Sequence, residues 1–269
     1  MAEQIRFHKI SQVGMDAMSA NTARSFPRHT HDQYGIGVID SGGHASLSGR
    51  GQVEAGPGSL IFVNPGEVHD GRPIAGSPRS WRILYFDPRL LEEVCTDIDD
   101  GARACVDFTR PVFVDEPLRH LFNSAFAQIT AHSQSAMACE TAILLMVARA
   151  RLNTTPKGRA PGETAADIRR VLEMIEADPA SSELTLARLA REVHLSRYQL
   201  LRGFTRALGL TPHAYILQQR LALARRLLRA GHSLAGAALE SGFCDQSHLT
   251  HCFARQVGVT PRRYASRGA

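Results

Sequence analysis

The chain has 269 residues, 43% apolar and 21% charged, which suits a folded globular protein and excludes a disordered or low-complexity one. No apolar run reaches the roughly 18 residues of a membrane span. The start, Met1-Ala-Glu-Gln-Ile-Arg6, lacks a secretory apolar stretch, so a cytoplasmic protein is expected. The formal charge of +5 is unevenly spread: residues 1–162 carry 16 basic and 17 acidic side chains, and residues 163–269 carry 15 and 9. From Thr185 onward 13 arginines face only Glu192, Glu240 and Asp245, which points to a domain that meets a polyanion. Five cysteines (Cys95, Cys105, Cys139, Cys244, Cys252) form no C-x-x-C pair and read as reduced, mostly structural thiols.

In chain order, Tyr34–Ile39, Ser59–Val63 and Trp81–Phe86 are β-branched or aromatic runs. Asp40-Ser-Gly-Gly43, Ala55-Gly-Pro-Gly58, Asn64-Pro-Gly66 and Asp87-Pro88 bound them as turns, so residues 5–87 predict a barrel or jelly roll of short strands. Helices are predicted over 117–131 and 136–151, where Leu118, Leu121, Phe122, Ile143 and Val147 suit either a barrel cap or a subunit interface. The Pro- and Gly-rich stretch 153–162 reads as a linker between a sensor domain, 1–152, and a second domain, 163–269. The fold class is therefore α+β followed by an all-α domain.

Beyond the linker the pattern is helical. Ile168, Val171, Leu172 and Ile175 make one apolar face, and Leu186, Leu189, Ala190 and Val193 another, with Thr185 as its N-cap. The stretch Ser196–Tyr215 then repeats as Asp245–Tyr264 at an offset of 49 residues. Leu200/Leu249, Phe204/Phe253, Arg206/Arg255, Gly209/Gly258, Thr211-Pro212/Thr260-Pro261 and Tyr215/Tyr264 match. Upstream, at an offset of 48, Leu186/Leu234, Ala190/Ala238, Glu192/Glu240 and Leu195/Phe243 match. Each copy reads helix, tight turn, helix, with Ser196 and Asp245 capping the second helix and small Ala190 and Ala238 where two helices cross.

The polar face of the first copy's second helix offers Arg197, Tyr198, Leu201, Arg202, Thr205 and Arg206. The second copy offers Gln246, Ser247, Thr250, His251 and Arg255. These residue types hydrogen-bond base edges and phosphates of double-stranded DNA. Pro212–Ala230 reads as one connecting helix of about 28 Å, a length suited to presenting two helices to successive major grooves.

At this point the sequence resembles the AraC/XylS family of bacterial regulators, through Arg220-Leu-Ala-Leu-Ala-Arg-Arg-Leu-Leu228, Ala238-Leu-Glu-Ser-Gly-Phe243 and Phe253-Ala-Arg-Gln-Val-Gly-Val-Thr-Pro261. The resemblance implies a seven-helix DNA-binding domain with two helix-turn-helix units, in which Tyr198, Leu201, Arg202, Ser247, Thr250 and His251 read bases. It implies a homodimer, a small-molecule effector and, for an activator, RNA polymerase as partners, with no membrane partner. Two positions depart from the pattern: His194 stands where Gly is usual in the first turn, and His251 where a longer basic side chain is common.

His29-Thr-His31 and the strand-turn-His run Gly58–His69 resemble the small cupin barrel that often precedes such a domain. His29, His31, Tyr34, His69, Trp81 and Arg82 are its pocket candidates for the effector. Metal-holding cupins usually carry a Glu four or five residues after the paired histidines, where this chain has Gly35 and Ile36, so a metal-free, cofactor-free, non-enzymatic sensor is expected. The alternatives are a metal-dependent cupin enzyme with a DNA-binding tail and a DNA binder indifferent to ligands.

Overall fold

The computed structural model describes residues 4–48, 51–98, 106–131, 136–156 and 163–266. The chain forms two compact units, the second taking in Pro27–Thr30 together with the C-terminal helices; residues 157–162 and Cys105 lie outside the described residues. No helix among the described residues is long and apolar enough to cross a membrane.

The strands are β1 (Gln4–His8), β2 (Met15–Thr22), β3 (Phe26–His29), β4 (Tyr34–Ser41), β5 (His44–Ser48), β6 (Gly51–Ala55), β7 (Leu60–Val63), β8 (His69–Pro73), β9 (Arg79–Phe86), β10 (Val106–Phe108), β11 (Val112–Phe113) and β12 (Thr154–Pro156), all in the first unit except most of β3. The helices of the first unit are α1 (Pro88–Ile98), α2 (Glu116–Thr130) and α3 (Ala136–Ala150). One sheet runs β1-β2-β9-β4-β7-β11, a second β3-β8-β5-β6, and β10 pairs with β12. The expected strands all form. The His29-Thr-His31 pair does not share one, because β3 ends at His29.

Strand β9 organises this unit, lying antiparallel between β2 and β4. Successive side chains on a strand face opposite ways, so its residues serve two layers. Leu84 and Phe86 join Met15, Ala17, Ile36 and Val38 in one apolar core with Leu118, Phe122, Ile143 and Val147 of α2 and α3. Those four helix residues therefore seal the sheet. On the other face Arg79 and Trp81 meet His44 of β5, in the second sheet.

The second unit holds seven helices among the described residues: α4 (Glu163–Ala177), α5 (Leu186–Glu192), α6 (Arg197–Leu208), α7 (Pro212–Arg229), α8 (Leu234–Glu240), α9 (Gln246–Val257) and α10 (Pro261–Ala265). The sequence repeat becomes a structural one. Ser196 and Asp245 accept the backbone N–H of Gln199 and His248, and Gly209 and Gly258 end α6 and α9 in the left-handed region. In the first turn Leu195 N–H donates to Ala190 O, and in the second Phe243 N–H donates to Ala238 O, both at 2.9 Å. Each copy closes with an edge-on aromatic pair, Phe204–Tyr215 at 5.7 Å and Phe253–Tyr264 at 5.3 Å.

The two turns differ at one position. Gly242 has φ +80° and His194, its counterpart, has φ +53°. A Cβ on Gly242 would stand 2.8 Å from the carbonyl oxygen of Ala180 and 2.9 Å from Arg220 Nε. Arg220 itself clamps this region, donating to the carbonyls of Pro179 (2.8 Å), Gly242 (2.8 Å) and Ser181 (3.1 Å). Gly242→Ala should therefore cost more than about 2 kcal/mol, from the left-handed penalty plus the clash. His194→Gly should stabilise slightly, by less than about 1 kcal/mol, since relief of the same penalty is offset by a freer unfolded chain. Urea unfolding of the full chain, followed by far-UV circular dichroism, measures both.

Candidate functional site

Helices α6 and α9 each bury one stripe and leave the other open. Leu200, Phe204, Leu249 and Phe253 are 0% exposed. Opposite them Arg197, Tyr198, Arg202, Thr205, Arg206, Gln246, Ser247, His251 and Arg255 are exposed, with Leu201 and Thr250 half-buried beside them. A capping box at Ser196 and Gln199 holds the first turn of α6, so the leading residues are fixed in direction. Arg202 lies 5.5 Å over the ring of Tyr198, which is 66% exposed and bears no core load. An exposed aromatic ring carrying a guanidinium on an otherwise acid-free face is suited to a polyanionic, base-bearing partner.

Not every arginine of this unit is available. Arg225 of α7 is buried, with its guanidinium 5.9 Å over the Tyr264 ring. Arg220 is occupied by three carbonyls. Arg226, Arg262 and Arg263 are exposed.

His29, His31 and His69 each offer one ligand atom, all within 4.8 Å of one another. His29 and His69 hold Nδ1 against the carbonyls of Pro27 (2.7 Å) and Glu67 (3.1 Å). His31 stacks between His69 (5.1 Å) and Tyr85 (5.0 Å). Imidazole nitrogens are ordinary ligands of a transition metal, and three of them gathered within 4.8 Å make a candidate set. Burial holds His69 well below its ordinary pKa, at about 4, partly offset by the Glu67 carbonyl. The ring is thus neutral near pH 7.

The remaining pocket candidates separate. Trp81 is buried against His44, Arg79 and Phe26. Its neighbour Arg82 points the other way, ion-paired to Asp40 at 2.6 Å, bonded to Asn123 and lying over Phe122 and Phe126 of α2. Tyr34 likewise belongs to the helix-side core, edge-on to Phe108. Two groups that sequence reading missed stand beside Trp81, namely Arg79 and His44, bonded at 2.9 Å. The signal was present in the strand period, since Arg79 shares a face with Trp81 and Arg82 cannot.

A third feature lies on α2 and α3. Leu121, Ser124, Gln128, Met137, Ala142 and Leu145 line an apolar groove of about 380 Å³, with Met137 76% and Leu145 53% exposed.

Comparison with known proteins joins these surfaces. Residues 12–147 match the model of the AraC-like ligand binding domain, and residues 189–267 match that of a helix-turn-helix domain. An uncharacterized HTH-type transcriptional regulator of Bacillus subtilis is 30% identical over 84% of this chain and 82% of its own length. The HTH-type transcriptional activator RhaS of Klebsiella pneumoniae is 24% identical over 94% of this chain and 91% of its own. Among solved structures, ToxT of Vibrio cholerae bound to an unsaturated fatty acid shares the fold, with TM-score 0.60 at 11% identity, covering 96% of this chain and 97% of that one.

The buried histidines make a pH prediction. Burial, with help from the Arg79 guanidinium and against the pull of Asp70, lowers the His44 pKa from 6.5 to about 4. Between those values the unfolded chain takes up a proton that the folded chain refuses. The stabilisation is thus complete above pH 6.5 and is lost as pH falls toward 4. His44→Gln, which keeps an acceptor for Arg79, should flatten the fall in melting temperature across that window. An unaltered slope would show that another group carries it.

Proposed function

The chain belongs to the AraC family of helix-turn-helix transcription regulators, and on that premise we propose that α6 and α9 read two successive major-groove segments of one operator while an effector held in the β-rich unit alters that binding. The observation that carries this reading is the pairing of two equivalent helices with open, acid-free faces on one 18-residue helix, α7, about 27 Å long. Tyr198, Leu201, Arg202, Ser247, Thr250 and His251 are the base readers; Arg197, Thr205, Arg206, Gln246 and Arg255 flank them. The sensor spans 1–152 and the DNA-binding domain 163–269. The name of the Klebsiella relative supports activation, with RNA polymerase as the downstream partner, and the fatty acid in the Vibrio structure supports a small-molecule effector.

We assign the α2–α3 groove to a second copy of the chain. Apolar side chains left open on both sides of a groove favour a partner of the same kind, and a self-complementary dimer needs one such patch per protomer. A metal-holding barrel is the second reading, favoured by the three-histidine cluster. Elemental analysis of the purified protein decides between the two: below about 0.1 equivalents of transition metal supports the sensor, and one equivalent supports the metal site.

Three measurements test the main reading. Selection of bound genomic fragments should return a shared motif with two half-elements, and indifference to base order would overturn the assignment. Arg202→Ala should weaken binding to that operator by roughly 1–3 kcal/mol and relax base choice at one position. Leu145→Asp should shift the protein to monomer in analytical ultracentrifugation while the circular dichroism spectrum is kept.

A further inference from the structure

The β-rich unit holds a buried charge to which no ligand has yet been assigned. Arg79 is 0% exposed and is the largest of the fully buried side chains. Nε donates to His44 Nδ1 and Nη1 to the Arg24 carbonyl at 3.0 Å, but Nη2 has no hydrogen-bond partner among the described residues. No carboxylate answers its charge there either; burial alone lowers its pKa, to about 10. A guanidinium taken out of water without a counter-anion is strongly unfavourable, and its five donors in a fixed fork are matched best by a planar acid. His44 gives no relief, being a neutral acceptor.

The surroundings are built for a ligand with one charged end. The Trp81 indole lies 5.0 Å beneath the guanidinium, Phe26 stands edge-on to Trp81 at 6.1 Å, and the His44 ring is 6.3 Å from Trp81. Gly71 of β8, buried and without a side chain, packs beside the guanidinium; a Cβ there would lie 3.7 Å from Nη2 and 3.2 Å from His44 Cε1.

We propose that Arg79 receives the carboxylate of a small organic acid, Nη2 donating to one carboxylate oxygen while Trp81 packs against the adjoining apolar part. One open N–H edge in an aromatic setting suits a monoanion; a phosphate dianion would demand more donors than the site offers. This assignment rests on the sensing role proposed above and sharpens it to a chemical class.

Trp81 is the only tryptophan of the chain, so its emission reports directly on Arg79. Full-length protein is titrated with potassium acetate, butyrate and benzoate, and in parallel with acetamide, butyramide, benzamide and potassium phosphate, at constant ionic strength. The expected result is a saturable change in emission with at least one acid, at a concentration at least tenfold below that for its amide and for phosphate. Arg79→Gln should abolish it with the circular dichroism spectrum retained. Should that variant not fold, Gly71→Ala, which leaves Arg79 in place and puts a methyl against Nη2, should weaken the acid response severalfold. Equal response to acids and amides, response to phosphate alone, no saturable response to any probe, or a full acid response in folded Arg79→Gln overturns the proposal. Operator binding measured alongside separates the two levels. Acid binding that leaves operator affinity unchanged removes the sensing role, whereas operator binding shifted only by an uncharged compound keeps that role and removes the acid.

Discussion

Arg220 is the constraint on which the DNA-facing unit depends. Its guanidinium satisfies three backbone carbonyls at once, two from the loop ahead of α5 and one from the turn between α8 and α9. Each copy of the repeat can build its own helix-turn-helix from local signals, namely caps, a left-handed turn residue and a small alanine at the crossing. What local signals cannot fix is the orientation of one copy against the other. Two helices that must enter successive grooves tolerate little play, because groove spacing is set by DNA and not by the protein. Arg220 projects from α7, the helix that joins the copies, and ties the loop ahead of the first copy and the turn of the second to it. The approach of Gly242 to Ala180 and to Arg220 is part of the same joint, which explains why the second turn requires glycine while the first accommodates His194.

Much of this unit was legible in the sequence because the sequence states it twice. A cap, a crossing alanine or a terminal glycine is weak evidence alone, and each gains force from its counterpart 48 or 49 residues away. Arg225 shows how position outweighs charge. Leu221, Arg225 and Leu228 fall at i, i+4 and i+7, on the stripe that helical periodicity buries, and all three are buried. The exposed apolar residues of α3 were visible in the same way, since Ala136–Ala150 is apolar nearly all round and a helix of that kind has covering to do on more than one side.

The β-rich unit was less legible, for a physical reason. Short strands carry their facing in a period of two, and a motif-based choice of residues ignores that period. Trp81 and Arg82 are adjacent, so they cannot share a pocket, and Tyr34 pairs with Phe86 on the helix side. Histidine spacing, by contrast, did find a real cluster, although His31 reaches it from beyond the end of a strand. Arg79 escaped notice because an arginine following Pro78 reads as a solvated turn residue. Only the pairing of Arg79 with Thr22 across β2 and β9 places it inside the sheet.

The arginines of this protein thus fall into two physical classes, and formal charge counts both alike. Arg79 and Arg225, both buried, and half-buried Arg220 are committed to carbonyls, imidazole or aromatic rings. Arg197, Arg202, Arg206 and Arg255 stand in water on two helix faces, where a guanidinium can exchange its hydration for phosphate or guanine with little reorganisation. Polyanion attraction comes from exposed arginines, these four together with Arg226, Arg262 and Arg263, so the effective DNA-facing charge is smaller than the composition suggests. The first class contributes rigidity to its presentation. In the β-rich unit its one member, Arg79, keeps an unanswered donor inside the protein. A charge held in so fixed a place discriminates between acidic and neutral occupants by far more than an exposed arginine could, because burial strengthens its pull on an anion and water is not there to compete.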